Sequence, residues 1–206
     1  MIVVIGSLRL RGSGDEADVA GLTASIASAA AADGALVEVI TRLGDDPAGD
    51  AVALALTRRH VGHVAVLRDP ARPTAVVSPE ADGGDPGVPQ PDGEPTGDDG
   101  PRLEAADANL ALRYLPQISV VVAVHLADDV LAEAVDAASW AETALVVVVR
   151  SGAGVPDGLP PRAVTLEVED IEESAAGDAI GRYAAALDRG DAAREAYDAL
   201  LASVRA

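Results

Sequence analysis

The residues that could carry chemistry lie at 172–178, where the sequence reads Glu-Glu-Ser-Ala-Ala-Gly-Asp directly before a segment with helical periodicity. Small residues let a ligand approach the backbone, and the free amides and dipole of a helix start attract anions such as phosphoryl groups. A carboxylate there, Asp178, can accept a proton from an attacking hydroxyl. The same residues have a structural interpretation, in which Asp178 caps a helix after a glycine-containing turn. These seven residues alone leave both interpretations open.

A second informative stretch carries Gly21, Thr23 and Ser25 on an Ala-rich segment, followed by Gly34, Gly44 and the run Asp45-Asp46-Pro47-Ala48-Gly49-Asp50. This spacing resembles the amino-terminal signature of the ribokinase-like (PfkB) carbohydrate kinases. Gly62 and Arg72-Pro73-Thr74 are similar to the continuation of that signature. Ala175-Ala176-Gly177-Asp178 resembles the second signature of the family, and the two occur in the family's order.

The resemblance implies a three-layer α/β/α fold with a mostly parallel central sheet, without the lid strands of the family. It also implies transfer of the γ-phosphoryl group of ATP, with Mg²⁺, to a hydroxyl of a sugar-like or nucleoside substrate. Carried over by position, Asp178 would be the catalytic base, and the amides of Ala175, Ala176 and Gly177 would stabilise the transferring charge. Gly21 and Ser25 would lie near the substrate.

The chain also departs from the family pattern. Ser25 stands where the family has a substrate-binding Asn, Arg9 and Arg11 replace an Asn and an Asp, and Glu172-Glu173 replace the Asp-Thr pair of the second signature. The interval between Val168 and Asp178 leaves no room for the family's Asn-x-x-Glu motif. The alternative hypothesis is therefore a non-catalytic binding or assembly protein on a degenerate kinase fold.

Alternating strand and helix patterns predict the elements that must position these residues. Buried strands are predicted at 2–5, 36–40, 62–67, 74–77, 118–124, 145–149 and 164–168. Helices are predicted from Val19 to Asp33, from Pro47 to His60 with Asp46 as the cap, and over 103–115. A further helix is predicted to begin at a cap formed by Asp128-Asp129, and two more helices are predicted in the part of the chain after Gly177. We expect one domain over 1–206, interrupted by a Pro/Gly/Asp-rich loop at 78–101.

Composition narrows the classes of partner. The 206 residues contain 15 basic residues, all Arg, against 34 acidic ones, which gives a net charge of −19, so nucleic acid and anionic membranes are unfavourable partners. No apolar run approaches the ~20 residues that span a bilayer, and a cytoplasmic location is the default expectation. A homodimer burying Ala and Val surface fits this composition. We expect no metal site: His60 and His63 lack a third ligand, and Trp140 is predicted to pack in the core or at an interface.

Overall fold

The computed structural model describes residues 1–77, 100–169 and 173–204. Most of the loop predicted at 78–101 lies outside the described residues. The strands, in chain order, are β1 (Ile2–Ile5), β2 (Arg9–Arg11), β3 (Asp18–Ala20), β4 (Val37–Gly44), β5 (Val66–Asp69), β6 (Val76–Val77), β7 (Val120–Val124), β8 (Ala144–Arg150) and β9 (Val164–Val168). The helices are α1 (Leu22–Ala32), α2 (Pro47–Arg58), α3 (Ala105–Tyr114), α4 (Asp128–Trp140), α5 (Glu173–Arg189) and α6 (Ala193–Val204), with a short 3-10 turn at Gly14–Glu16.

The main sheet has six strands in the order β5-β4-β1-β7-β8-β9. Every neighbouring pair in it runs parallel. Its central strands are Val- and Ile-rich and buried on both faces, as parallel strands between helices must be. The carboxyl ends of these strands therefore meet at one edge of the sheet, which is where ligands bind in open α/β folds.

Two separate apolar clusters cover the two faces of the sheet. Side chains at alternate positions, such as Ile2 and Val4, pack with α1, α2 and α5 in the first cluster. Their neighbours, such as Val3 and Ile5, pack with α3 and α4 in the second. The arrangement is the predicted three-layer α/β/α fold. Among the described residues, no helix is both long and apolar enough to cross a membrane.

A second sheet of three strands, in the order β3-β2-β6, was not predicted from the sequence. β2 and β3 pair antiparallel, and β2 and β6 pair parallel. The predicted helix from Val19 is wrong at its start, because Val19 lies in β3 and the chain turns at Gly21, whose φ of 101° favours glycine. Leu10 and Val19 are buried in the first cluster, so this small sheet packs onto the core.

Two further predictions need correction. The strand predicted at 62–67 lies later, at Val66–Asp69, and Gly62 makes only an isolated bridge to Glu38. Ala127, not Asp128, is the N-cap of α4, and both aspartates occupy its first turn, where the helix dipole favours negative charge. Asp46 is confirmed as the cap of α2: its side chain accepts a hydrogen bond from the Gly49 amide at 2.7 Å.

Candidate functional site

The carboxyl end of β1 lies against the start of α1. Gly6 follows β1, and a Cβ added at Gly6 would stand 2.4 Å from the Thr23 hydroxyl oxygen and 3.1 Å from the Val124 carbonyl oxygen. Gly21 is the N-cap of α1, with the Ser7 carbonyl oxygen 3.9 Å from the position of a Cβ there. A glycine is thus required at position 6, where the end of β1 meets the start of α1 and the end of β7. Because Gly21 caps α1, it lies at this carboxyl edge of the sheet.

The helices α1 and α5 pack against each other through small residues. A Cβ added at Gly177 would lie 2.4 Å from the Cβ of Ser25, and one at Gly181 would lie 2.5 Å from the Ile26 carbonyl oxygen. The structure therefore brings Gly177 and Ser25, which are distant in the sequence, into direct contact. It also gives Gly177 a packing role, since any side chain at that position would separate the two helices.

The prediction that residues 172–178 stand directly before a helix is wrong, because α5 begins at Glu173, and Asp178 lies inside this helix and does not cap it. The other predicted site residues therefore lie in the first two turns of α5. Ala175 is exposed, Ala176 is half-buried and Asp178 is exposed. The side chain of Asp178 forms no hydrogen bond or ion pair within the described residues. Because α5 begins at Glu173, the amide of Ala175 falls in the first turn, where amides have no helical partner, whereas that of Gly177 is positioned to donate to the Glu173 carbonyl. The base and anion-hole roles of these residues stay predictions.

The described first turns of α5 carry little positive charge of their own. In the described part of that helix up to its third turn, Arg182 is the basic residue, and its side chain is exposed. Within the described residues no three His, Asp or Glu side chains come together as metal ligands.

A cavity of about 260 Å³, which sequence reasoning missed, opens at the carboxyl ends of β7 and β8. His125, Asp128 and Arg150 supply its ionisable lining, and Ala123 and Val147 form part of its apolar floor. These apolar residues belong to the second core cluster, so the cavity lies on the face of the sheet opposite to the contact between Ser25 and Gly177. His125 has a φ of 48°, an uncommon backbone conformation for a non-glycine residue. The sequence signal for this cavity was present, because His125 and Arg150 end adjacent buried strands.

The remaining candidates have structural explanations. His60 and His63 are exposed at the end of α2 and in the following turn. The side chain of Asp46 accepts hydrogen bonds from the Thr74 amide at 2.7 Å and the Thr74 hydroxyl at 2.8 Å. Trp140 is 88% exposed, so the prediction that it packs in the core is wrong, and its place at an interface stays a prediction.

No protein-family model matches the chain, and no curated protein sequence matches it either. Solved structures do resemble it. A PfkB protein from Polaromonas sp. JS666 aligns with a TM-score of 0.65 at 14% identity, over 97% of this chain and 92% of that one. A ribokinase from Arabidopsis thaliana, solved with ribose and ATP, aligns with a TM-score of 0.64 at 16% identity, over 98% and 90% of the two chains.

An uncharacterised sugar kinase from Pyrococcus horikoshii aligns with a TM-score of 0.53 at 17% identity, covering 72% of this chain. The matched region spans 52% of that kinase, about half of its length. At these identities the likeness establishes the fold: the chain has a ribokinase-like, kinase-like α/β fold.

Proposed function

We propose that this protein is an ATP-dependent small-molecule kinase that phosphorylates a hydroxyl of a sugar-like substrate. One observation carries the proposal. The two segments that resemble the kinase signatures meet in the fold, with Gly177 of α5 against Ser25 of α1. The ribokinase-like fold supports the same reaction class by analogy.

The proposed chemistry is an in-line phosphoryl transfer. Asp178, exposed in the second turn of α5, accepts the proton of the substrate hydroxyl while the resulting oxygen attacks the γ-phosphorus of ATP. The bond between the γ-phosphorus and the bridging oxygen breaks, and ADP leaves with that electron pair. Magnesium, bound to the nucleotide, would supply positive charge that offsets the charge of its phosphates. The contact to the charge on the transferred group is assigned to the amide of Ala175 in the first turn of α5, because the Gly177 amide is positioned to donate to the Glu173 carbonyl.

Substrate contacts are assigned to Gly21 and Ser25. Gly21 begins α1 with a φ of 101°, which leaves its backbone without a side chain at the edge of the sheet. Ser25 is half-buried one turn into the same helix. Ser25 stands where the family has a substrate-binding Asn, and its hydroxyl side chain is shorter. We therefore propose a substrate that makes fewer hydrogen bonds at this position.

A second function has a specific observation in its favour. The helix α5 begins with the acidic residue Glu173, and the basic residue in its described first three turns is Arg182. The whole chain carries a net charge of −19. This electrostatic environment disfavours a polyphosphate. The alternative is therefore a binding or assembly protein that keeps the ribokinase-like fold and has lost phosphoryl transfer.

Titration with ATP·Mg²⁺, followed by thermal unfolding and by calorimetry, separates the two functions. A nucleotide present at 100 times its dissociation constant adds about 2.7 kcal/mol to the free energy of unfolding. We expect a rise in melting temperature with ATP·Mg²⁺ and a smaller one with ATP in excess chelator. The absence of any shift at millimolar ATP·Mg²⁺ overturns the kinase proposal and leaves the binding or assembly function.

A further inference from the structure

Strand β2 carries two arginines on one face. The strand reads Arg-Leu-Arg, and its central residue, Leu10, is buried in the first core cluster. Because side chains alternate along a strand, Arg9 and Arg11 lie together on the other face, directed away from that cluster. Arg9 is half-buried and Arg11 is exposed. Within the described residues, neither guanidinium group forms a hydrogen bond or an ion pair.

The acidic residue that lies across the small sheet from this pair is engaged elsewhere. The register sets Asp18 of β3 directly across from Arg11. The carboxylate of Asp18 instead accepts hydrogen bonds from Arg59, which follows α2, and these bonds lower the pKa of Asp18. Glu16, in the turn before β3, forms no ion pair with either arginine in the described part of the chain. Neither acid therefore pairs with the two cations of β2.

The small sheet places these arginines next to the proposed substrate contacts. β2 follows β1 through residues 6–8, so it begins at the carboxyl edge of the main sheet. The register sets Arg9 directly across from Ala20, the residue before Gly21. Gly21 is the N-cap of α1, and Ser25 lies one turn into that helix. A group held by the arginines would therefore belong to a ligand bound at this edge.

The start of α1 favours the same kind of ligand. No side chain caps this helix, and its first turn contains no acidic residue. By contrast, the first turns of α2, α3, α4 and α6 each contain an acidic residue. The first amides of a helix have no helical partner, and the helix dipole gives this end a partial positive charge. The helix start thus adds to the positive charge of Arg9, although the whole chain carries −19.

We propose that Arg9 and Arg11 bind a phosphate group of the substrate, so that the substrate is a phosphorylated sugar. The inference rests on the proposed kinase function, and the hydroxyl that receives the γ-phosphoryl group lies elsewhere on the same sugar. A phosphate monoester carries about −1.5 to −2 charges at neutral pH, which two guanidinium groups balance. Its oxygens also accept paired hydrogen bonds from the planar guanidinium fork. A carboxylate carries one charge and would leave one arginine unbalanced.

Calorimetry without nucleotide tests the arginine pair with ribose 5-phosphate, fructose 6-phosphate and the two neutral sugars. We expect at least one phosphorylated sugar to bind about tenfold or more tightly than its neutral form, because charge-assisted hydrogen bonds are the stronger ones. Equal affinity for the phosphorylated and neutral sugars, or no binding of either phosphorylated sugar, overturns the proposal. Gluconate carries a carboxylate, and tighter binding of gluconate than of both phosphorylated sugars overturns the choice of a phosphate.

A separate titration with ATP·Mg²⁺ distinguishes failure of this proposal from failure of the kinase function. Binding of a phosphorylated sugar without binding of ATP·Mg²⁺ keeps the arginine site and removes the kinase function. Formation of ADP with a neutral sugar at the same KM as with its phosphorylated form keeps the kinase function and removes the arginine site.

Substitution of the arginines locates the site. Arg9→Gln and Arg11→Gln should each raise the Kd of the phosphorylated sugar about tenfold and leave that of the neutral sugar nearly unchanged. Arg9→Lys keeps the charge without the fork and should lose less affinity than Arg9→Gln. Arg194→Gln, on an exposed position of α6, removes the same charge and is the matched control. Circular dichroism confirms folding, and an equal loss of affinity in Arg194→Gln would overturn the proposal, since the effect would then come from overall charge.

Discussion

Gly177 of α5 and Ser25 of α1 touch so closely that the glycine admits no side chain. A Cβ at position 177 would stand 2.4 Å from the Cβ of Ser25 and 3.3 Å from the Ile26 amide nitrogen. One turn later, Gly181 repeats the pattern against the Ile26 carbonyl oxygen at 2.5 Å. The two glycines, spaced by four residues, form the stripe through which α5 approaches α1. The glycine that resembles part of a kinase signature is thus required by helix packing as well.

The first prediction concerns that packing. Gly177→Ala should lower the free energy of unfolding, because overpacking a tight contact costs about 1–3 kcal/mol. The higher helix propensity of Ala returns up to about 1 kcal/mol, so the net loss is smaller than the steric cost. Chemical denaturation measures it. Ser174→Ala, at an exposed position of the same helix, should change stability little.

A compensating variant tests the cause. Ser25→Gly removes the Cβ that meets position 177, so Gly177→Ala should be less destabilising in that background than in the wild type. Equal losses in both backgrounds would show that the Ser25 contact does not limit the size of residue 177.

The second prediction concerns Asp46, which joins the start of α2 to Thr74. Its Oδ1 accepts from the Gly49 amide and the Thr74 hydroxyl, and its Oδ2 accepts from the Thr74 amide. In Asp46→Asn one amide NH₂ group must face one of these donors. Leaving such groups unsatisfied costs about 1–3 kcal/mol, measurable by denaturation at neutral pH. Asp45→Asn, at the exposed neighbouring position, is the matched control.

The same carboxylate makes this difference depend on pH. Burial opposes ionisation of Asp46, but hydrogen bonds from the Gly49 amide and from the Thr74 amide and hydroxyl outweigh it and lower its pKa. A carboxyl group whose pKa is lower in the folded state than in the unfolded chain stabilises the fold at pH values above its unfolded pKa of about 3.9. This stabilisation is lost as the pH falls through the pKa of the folded state. The gap in stability between wild type and Asp46→Asn should therefore be constant near neutral pH and shrink below about pH 4. A gap that is unchanged in acid would contradict the ionised role.

The centre of the main sheet was predictable because β1, β7 and β8 are nearly continuous apolar runs rich in Val, a pattern typical of strands buried on both faces. β9 lies at the predicted residues, Val164–Val168. The small sheet was not predictable: β2 and β3 have three residues each, and β2 reads Arg-Leu-Arg. Such short strands carry no periodic signal, and their pairing depends on packing against the core.

The candidate site was predictable in part. The residue types of the site, including its small side chains, can be seen in the sequence. The contact between Ser25 and Gly177 cannot, because it arises when two helices that are far apart along the chain pack together. No local pattern reports such a contact. The cavity with His125 and Arg150 could have been anticipated, since both residues end neighbouring parallel strands.

The third prediction concerns the segment between β6 and α3. The described ends of this segment come together, since a Cβ at Gly100 would lie 3.1 Å from the Cβ of Ala75. A short Gly/Ser linker replacing residues 79–98 can therefore close the gap, and each halving of the length of a connecting segment changes the free-energy cost of closing it by only about 0.6 kcal/mol. We expect an unchanged or slightly raised melting temperature by calorimetry. Loss of cooperative unfolding would mean that the replaced residues contribute to the core.

The fourth prediction tests the proposed base. If Asp178 takes the proton of the substrate hydroxyl, Asp178→Asn should reduce turnover by about 10²–10⁴-fold, because the amide cannot accept that proton. ATP·Mg²⁺ affinity, measured by calorimetry, should stay nearly the same, since the change removes a carboxylate that acts on the other substrate. ADP formation with ribose and with fructose provides the activity assay, and Asp198→Asn, an exposed aspartate on α6, controls for loss of surface charge. Because Asp178 is exposed, folding should survive the change, so retained turnover would remove it from the role of base.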